Sequence, residues 1–213
     1  MEEFADKISL YLPQYLSDPS RSALIDELKR FPTDRSKASF YTCALSDVDY
    51  LLQGDGISDA FYVWLPDLSK TGNIKALLLS NTCDMSLDNQ RINPCRVMYV
   101  PLINFEKYAQ LVNAQNPSAA ENHLKDIKAQ HVTQAMFLPK GQGLDHDAIA
   151  FFDQVISLPL TKDLVQQFCT NRMFTLSNFG LYLLLLKLSI HFTRIQERID
   201  RETGIDMGLQ DIK

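Results

Sequence analysis

The chain has 213 residues, of which 46% are hydrophobic and 22% charged, with a formal net charge of -5. That length and apolar content supply a core for one sizeable domain and exclude extended disorder. The acidic balance excludes a general basic footprint for nucleic acid, so a nucleic-acid site would have to be local.

The opening, MEEFADKISLYLPQYL, has neither the basic start nor the apolar middle of a signal peptide. The cysteines Cys43, Cys83, Cys95 and Cys169 lack the close pairing of a zinc knuckle or redox motif, so free thiols in a cytoplasmic protein are expected. Phe4, Ile8, Leu12 and Tyr15, then Leu24, Ile25 and Leu28, recur at helical spacing. They predict two short helices forming an N-terminal cap over residues 1–35. FYTCALS, from Phe40, resumes an apolar alternation and predicts a strand.

Two turn clusters follow, QGDGISD at 53–59 and SKTGN at 69–73, each leading into an apolar run: FYVWLPDL and IKALLLSN. After the polar loop MSLDNQRINP comes a third run, CRVMYVPLI. Three strands at this spacing predict a meander that closes into a small barrel. Pro101, which has no N–H to give a ladder, is expected at an edge or exit.

Between Asn104 and Gln130 the period changes: Phe105, Tyr108, Leu111 and Val112 share one helical face, and Leu124 and Ile127 another beyond NPSAAEN. AMFLP and AIAFFDQVISLP, separated by KGQGLDHD, predict a returning strand pair. LTKDLVQQF and the stretch from Thr175 to Arg201 predict helices, the second capped by Ser177 or Asn178. The apolar stretch Leu181 to Ile190 carries Lys187 and falls well short of the ~20 residues of a membrane span, so a buried helix and no membrane association are expected.

Four places in this order carry a family resemblance: Gly54-Asp55 before the first strand of the meander, Ser80-Asn81 at the end of the second, Val100-Pro101-Leu102 in the third, and Asp153-Gln154-Val155 before the terminal helices. The sequence resembles the MazF/PemK-like toxins, small SH3-like barrels that include endoribonucleases, over roughly half its length. The resemblance implies an α+β fold: an SH3-like β-barrel over 40–165 with a helical insertion at 104–130, following the N-terminal cap and preceding a helical segment over 166–213. It also implies RNA or a cognate protein as partner, a role in a toxin-antitoxin or phage-defence system, a homodimer, and neither cofactor nor metal.

In that family a basic residue, usually arginine, precedes the second strand and a hydroxyl residue closes the third. Here those places hold Lys75 and Ile103. Lysine brings charge without the bidentate fork of arginine, and isoleucine cannot carry a proton. Altered or lost cleavage is therefore expected on a retained barrel. The alternative is a non-enzymatic interaction module of the same kind of system.

The other candidates come from the polar residues themselves. In SNTCD, Ser80 to Asp84, the Asp84 carboxylate suits a general base or anchor with Asp55 as partner. The same residue types commonly satisfy the backbone of a tight loop, which is the more frequent outcome. Cys83 is a candidate nucleophile for thiol-dependent hydrolysis, but His123, His131, His146 and His191 are remote in sequence, and a small thiol beside an apolar strand is more often packing. The Cys83, Cys95 and histidine spacing is not that of a structural zinc site. Near the C terminus, His191, Arg194, Arg198 and Arg201 fall on one helical face, suited to a phosphate backbone or, more commonly, to pairing with Glu197, Asp200 and Glu202.

Overall fold

The computed structural model describes residues 40–64, 66–89 and 92–193. The expected N-terminal cap over 1–35 lies outside them. The strands are β1 (Tyr41–Thr42), β2 (Gly56–Val63), β3 (Thr71–Leu78), β4 (Arg96–Asn104), β5 (Ala135–Leu138), β6 (Ala148–Phe151), β7 (Ile156–Pro159) and β8 (Arg172–Leu176). The helices are α1 (Phe105–Gln115), α2 (Pro117–Lys128), α3 (Lys162–Thr170) and α4 (Asn178–Thr193). This is a mixed α+β fold on one antiparallel sheet in the order β1-β8-β2-β3-β4-β6-β5, with β7 also paired to β4.

The β2-β3-β4 meander forms as its turn clusters predict, with Leu77 opposite both Gly56 and Val100. Residues of β3 alternate between two cores, as a strand's period of two requires. Leu77 joins Val100, Leu102, Phe174 and the α4 residues Phe179 and Leu184 on one face, while Ala76 and Leu78 join Ile57, Val97, Tyr99 and Phe168 of α3 on the other. A third cluster packs Phe105 and Ile127 of the α1-α2 pair against Phe137 and Ile149 of β5 and β6. Each large side chain so buried stabilises the fold by about 1.5–3 kcal/mol relative to exposure.

Three features depart from the sequence expectations. The sheet is not closed: its pairing path ends at β1 and β5. The chain leaving β7 enters α3, which packs Phe168 edge-on against Tyr99, and β8 then pairs with β2 instead of β7. Pro101 lies inside the sheet, opposite Ala76, and not at an edge. It stands where β4 changes partner: residues 96–99 pair with β7 and 102–104 with β6, so that side of the ladder asks nothing of Pro101. The terminal helix is shorter at its start than predicted, because Thr175 and Leu176 belong to β8. Ser177 caps it, its Oγ accepting from Gly180 N at 3.2 Å.

Gln130 is a main anchor of the α2-to-β5 connection. Gln130, at φ 63°, points its side-chain amide at β5, donating from Nε2 to Phe137 O at 2.6 Å and accepting from Phe137 N at 3.2 Å. Its own carbonyl accepts from Lys187 Nζ of α4 at 2.9 Å, and Val132 O accepts from the same ammonium at 2.8 Å. Lys187 is only 4% exposed, and burial lowers its pKa to about 8. Among the described residues, no helix is long and apolar enough to cross a membrane.

Candidate functional site

Of the residues singled out in the sequence, Lys75 enters the most chemically useful surroundings. Its ammonium, in mid-β3, donates to Asp145 Oδ1 in the loop between β5 and β6. The same oxygen lies 2.6 Å from His146 Nδ1. Lys75 and His146 are partly exposed and Asp145 largely so. The Lys75 ammonium holds the Asp145 carboxyl down at about 2, so it is an anion at any ordinary pH.

The segment carrying Asp145 and His146 is anchored. Asp147 O accepts from Phe105 N and Asp147 Oδ1 from Lys140 N, each at 2.9 Å, and Ala148 pairs with Asn104. These bonds put residues 145–147 next to Asn104 and Phe105 at the end of β4, while Ile103 pairs with Ile149 and packs in the third cluster. A cation, a carboxylate and an imidazole therefore meet where β3 and β4 run alongside the β5-β6 loop. Such a trio can bind an anion through lysine, orient an imidazole through aspartate and move a proton through the imidazole.

Asp55 is placed differently. It is fully buried, with Oδ2 accepting from Leu52 N at 2.9 Å and Oδ1 from Thr175 Oγ1 at 2.8 Å. Arg172 Nε lies 2.9 Å from Oδ2, an ionic contact without the alignment of a hydrogen bond. Burial pushes the Asp55 carboxyl up, opposed by the Leu52 N–H, the Arg172 charge and the Thr175 hydroxyl. The guanidinium also donates to Val48 O at 2.9 Å and to Tyr50 O. The pair thus ties β8 and the loop before β2 to the turn at Gly54, whose φ of 86° suits glycine. A carboxylate enclosed in this way shapes the turn and has no route to a substrate.

The SNTCD stretch forms a turn whose polar groups serve the backbone. Ser80 Oγ accepts from Met98 N at 2.7 Å, Asn81 Oδ1 from Cys83 N at 2.9 Å, and Thr82 Oγ1 from Gln53 N at 3.0 Å. Cys83 and Asp84 sit exposed on the single 3-10 turn Thr82–Met85. The Thr82 bond places this turn beside the Gly54-Asp55 turn, yet the Asp55 carboxylate faces inward to Arg172 and Lys75 faces Asp145.

His191 packs against Phe152 and Phe192, and its Nδ1 is buried without a hydrogen-bond partner. Arg194, Arg198 and Arg201, the rest of that basic stripe, lie outside the described residues. Among the described residues no group of three His, Cys, Asp or Glu side chains is arranged to hold a metal ion. A separate cavity of about 310 Å³ is lined by Thr42, Cys43, Ser46, Gln142 and Arg172 among others, with Gln142 Nε2 donating to Cys43 Sγ at 2.9 Å.

Sequence reasoning missed Asp145 and Arg172, and weighed His146 only as a remote partner for Cys83. LDHD reads as a polar turn, and Arg172 falls between the two predicted helices; a signal for the first was the imidazole flanked by two carboxylates immediately before a strand. No protein-family model matches the chain, and no curated protein matches it at a significant level.

Proposed function

We propose that this chain is an SH3-like-barrel protein of the MazF/PemK-like kind that binds RNA at the Lys75-Asp145-His146 surface. The observation that carries the reading is the lysine ammonium held at the end of β4 by an exposed carboxylate. Lys75 stands where the resemblance calls for a phosphate-binding cation. An incoming phosphate exchanges for Asp145 on Lys75, and Asp145, open to solvent, keeps its contact with His146. The β2-β3-β4 meander, with α3 closing one face, supports the barrel reading although the sheet has free ends.

The test is fluorescence anisotropy with a single-stranded RNA over a salt series. Binding should weaken linearly on a log–log plot. Lys75→Ala should weaken it across all sequences and reduce the slope by about 1, the share of one phosphate contact. Salt-independent binding, or none, refutes the reading.

A second reading, an interaction module that binds a protein partner, is favoured by the exposed Phe61, Trp64 and Leu68 of the β2-β3 hairpin. It predicts a stoichiometric partner in purification from the native host, lost with Trp64→Ser and kept with Lys75→Ala.

A further inference from the structure

We infer that the outward face of α4 is a docking surface for an amphipathic helix, and that its occupant is this chain's own segment 22–31. The inference is independent of the RNA reading and concerns what lies over the longest helix among the described residues.

α4 turns Phe179, Tyr182, Leu183, Leu184 and Lys187 inward, and all five are buried. At about 100° per residue the opposite side carries Asn178, Leu181, Leu185, Leu188, Ser189 and Phe192. Leu181, Leu185 and Leu188 are half-buried there, and Phe192 is 66% exposed. A surface helix ordinarily puts charged residues on that side, whereas a helix apolar all round is one enclosed by other elements. The one lysine of α4, Lys187, points inward, and the outward side has no charge. Four apolar side chains in the row i, i+4, i+7, i+11 make the surface against which a second helix packs its own row.

The occupant follows from where the chain enters. Phe40 stands at the first turn of α4: its carbonyl accepts from Ser177 N at 2.9 Å, and its ring meets that of Phe179 edge-on at 5.3 Å. Shortly before it in sequence, Leu24, Leu28 and Phe31 repeat the i, i+4, i+7 spacing of Leu181, Leu185 and Leu188. Asp26, Glu27, Lys29 and Arg30 fill positions between them, and Pro32 ends the pattern. Residues 32–39 join the two rows and reach roughly 30 Å when extended, against about 24 Å for the length of α4. The segment can therefore lie anywhere along the helix. A tether this short also keeps it at an effective concentration on the order of millimolar, which favours it over a second copy of the chain.

The experiment uses the full chain and two readouts. Hydrogen exchange by mass spectrometry follows the amides of residues 24–31, and hydroxyl-radical labelling follows Leu185 and Leu188, scaled to Leu68, which is 72% exposed. In wild type the amides should be protected, equally so at every protein concentration. Leu28→Asp should speed their exchange about 10- to 100-fold, the change in opening equilibrium expected for losing one buried leucine, and raise labelling of Leu185 and Leu188 severalfold. Circular dichroism checks that the variant folds, and Leu24→Ser repeats the test with a milder change. Exchange of residues 24–31 in wild type at the rate of a free peptide overturns the inference. Labelling of α4 that neither variant alters overturns it as well, since the segment would then lie elsewhere. Labelling that rises on dilution, as a dimer dissociates, makes a second copy the occupant and also overturns it.

Discussion

Replacing Lys187 with methionine should change the pH dependence of stability more than stability itself at neutral pH. The wild-type Lys187 side chain of α4 is buried, its ammonium against the Gln130 and Val132 carbonyls, and burial lowers its pKa from 10.5 to about 8. In the unfolded chain it keeps the ordinary value, so between about pH 8 and 10.5 the unfolded state binds more protons than the folded one. Stability then rises with pH across that window; below pH 8 the penalty of burying the charge is carried in full. At 1.36 kcal/mol per pH unit the penalty is about 3 kcal/mol. Methionine removes it but leaves the Gln130 and Val132 carbonyls without their donor, which costs about 1–3 kcal/mol for each group left buried. At pH 7 the two effects largely cancel.

The assay is urea unfolding followed by circular dichroism, from pH 7 to 9.5, on both proteins. Stopping there avoids Tyr41 and Tyr99, whose pKa values burial raises, that of Tyr99 to about 12. Above pH 10 these phenols ionise more readily in the unfolded chain and lower stability as pH rises, the opposite sign. Wild type should gain on Lys187→Met by about 2 kcal/mol between pH 8 and 9.5. Parallel curves would show that Lys187 titrates as in water, and the reasoning from burial would fail.

Two further substitutions probe the frame behind the site. Asp55→Ala leaves the Arg172 charge buried without its counter-ion, and the Thr175 hydroxyl and Leu52 N–H without an acceptor. It should cost about 3–5 kcal/mol in urea unfolding, and a loss below about 1 kcal/mol would contradict the description of this pair. Gly143→Ala would set a Cβ 2.3 Å from the Met173 carbonyl oxygen, a backbone atom that cannot turn aside. The hairpin tip must then shift from β8, with a loss of about 1–3 kcal/mol by thermal melting, and an unchanged midpoint would refute the close approach.

The elements most legible in the sequence were those with local signals. Turn clusters bracket β2 and β3, and the change of period at Asn104 marks α1 and α2, separated at Asn116. β8 was illegible for a physical reason: five residues between two helices become a strand only because β1 and β2 offer their edges, and neither edge is visible in RMFTL. The same holds for the candidate site. Lys75 drew notice through its place before the second strand's apolar run, but its partner Asp145 is 70 residues away, and only the β5-β6 loop folding back on β3 joins them. Asp55 read as a polar turn residue; the distant arginine that encloses it turned a candidate for proton transfer into a strut. Ser80, Asn81 and Thr82 behaved as short polar residues in turns commonly do, bonding nearby backbone.

The amide of Gln130 covers part of an open sheet edge. A terminal strand of a sheet presents unpaired N–H and C=O groups on which another chain can template, and β5, whose four side chains are all buried, is an apolar instance. By donating to and accepting from Phe137, one side chain imitates a neighbouring strand for one residue and occupies the groups a stranger would need. The Gln130 carbonyl is itself gripped by Lys187, so the cover on this strand and the seat of α4 share one residue.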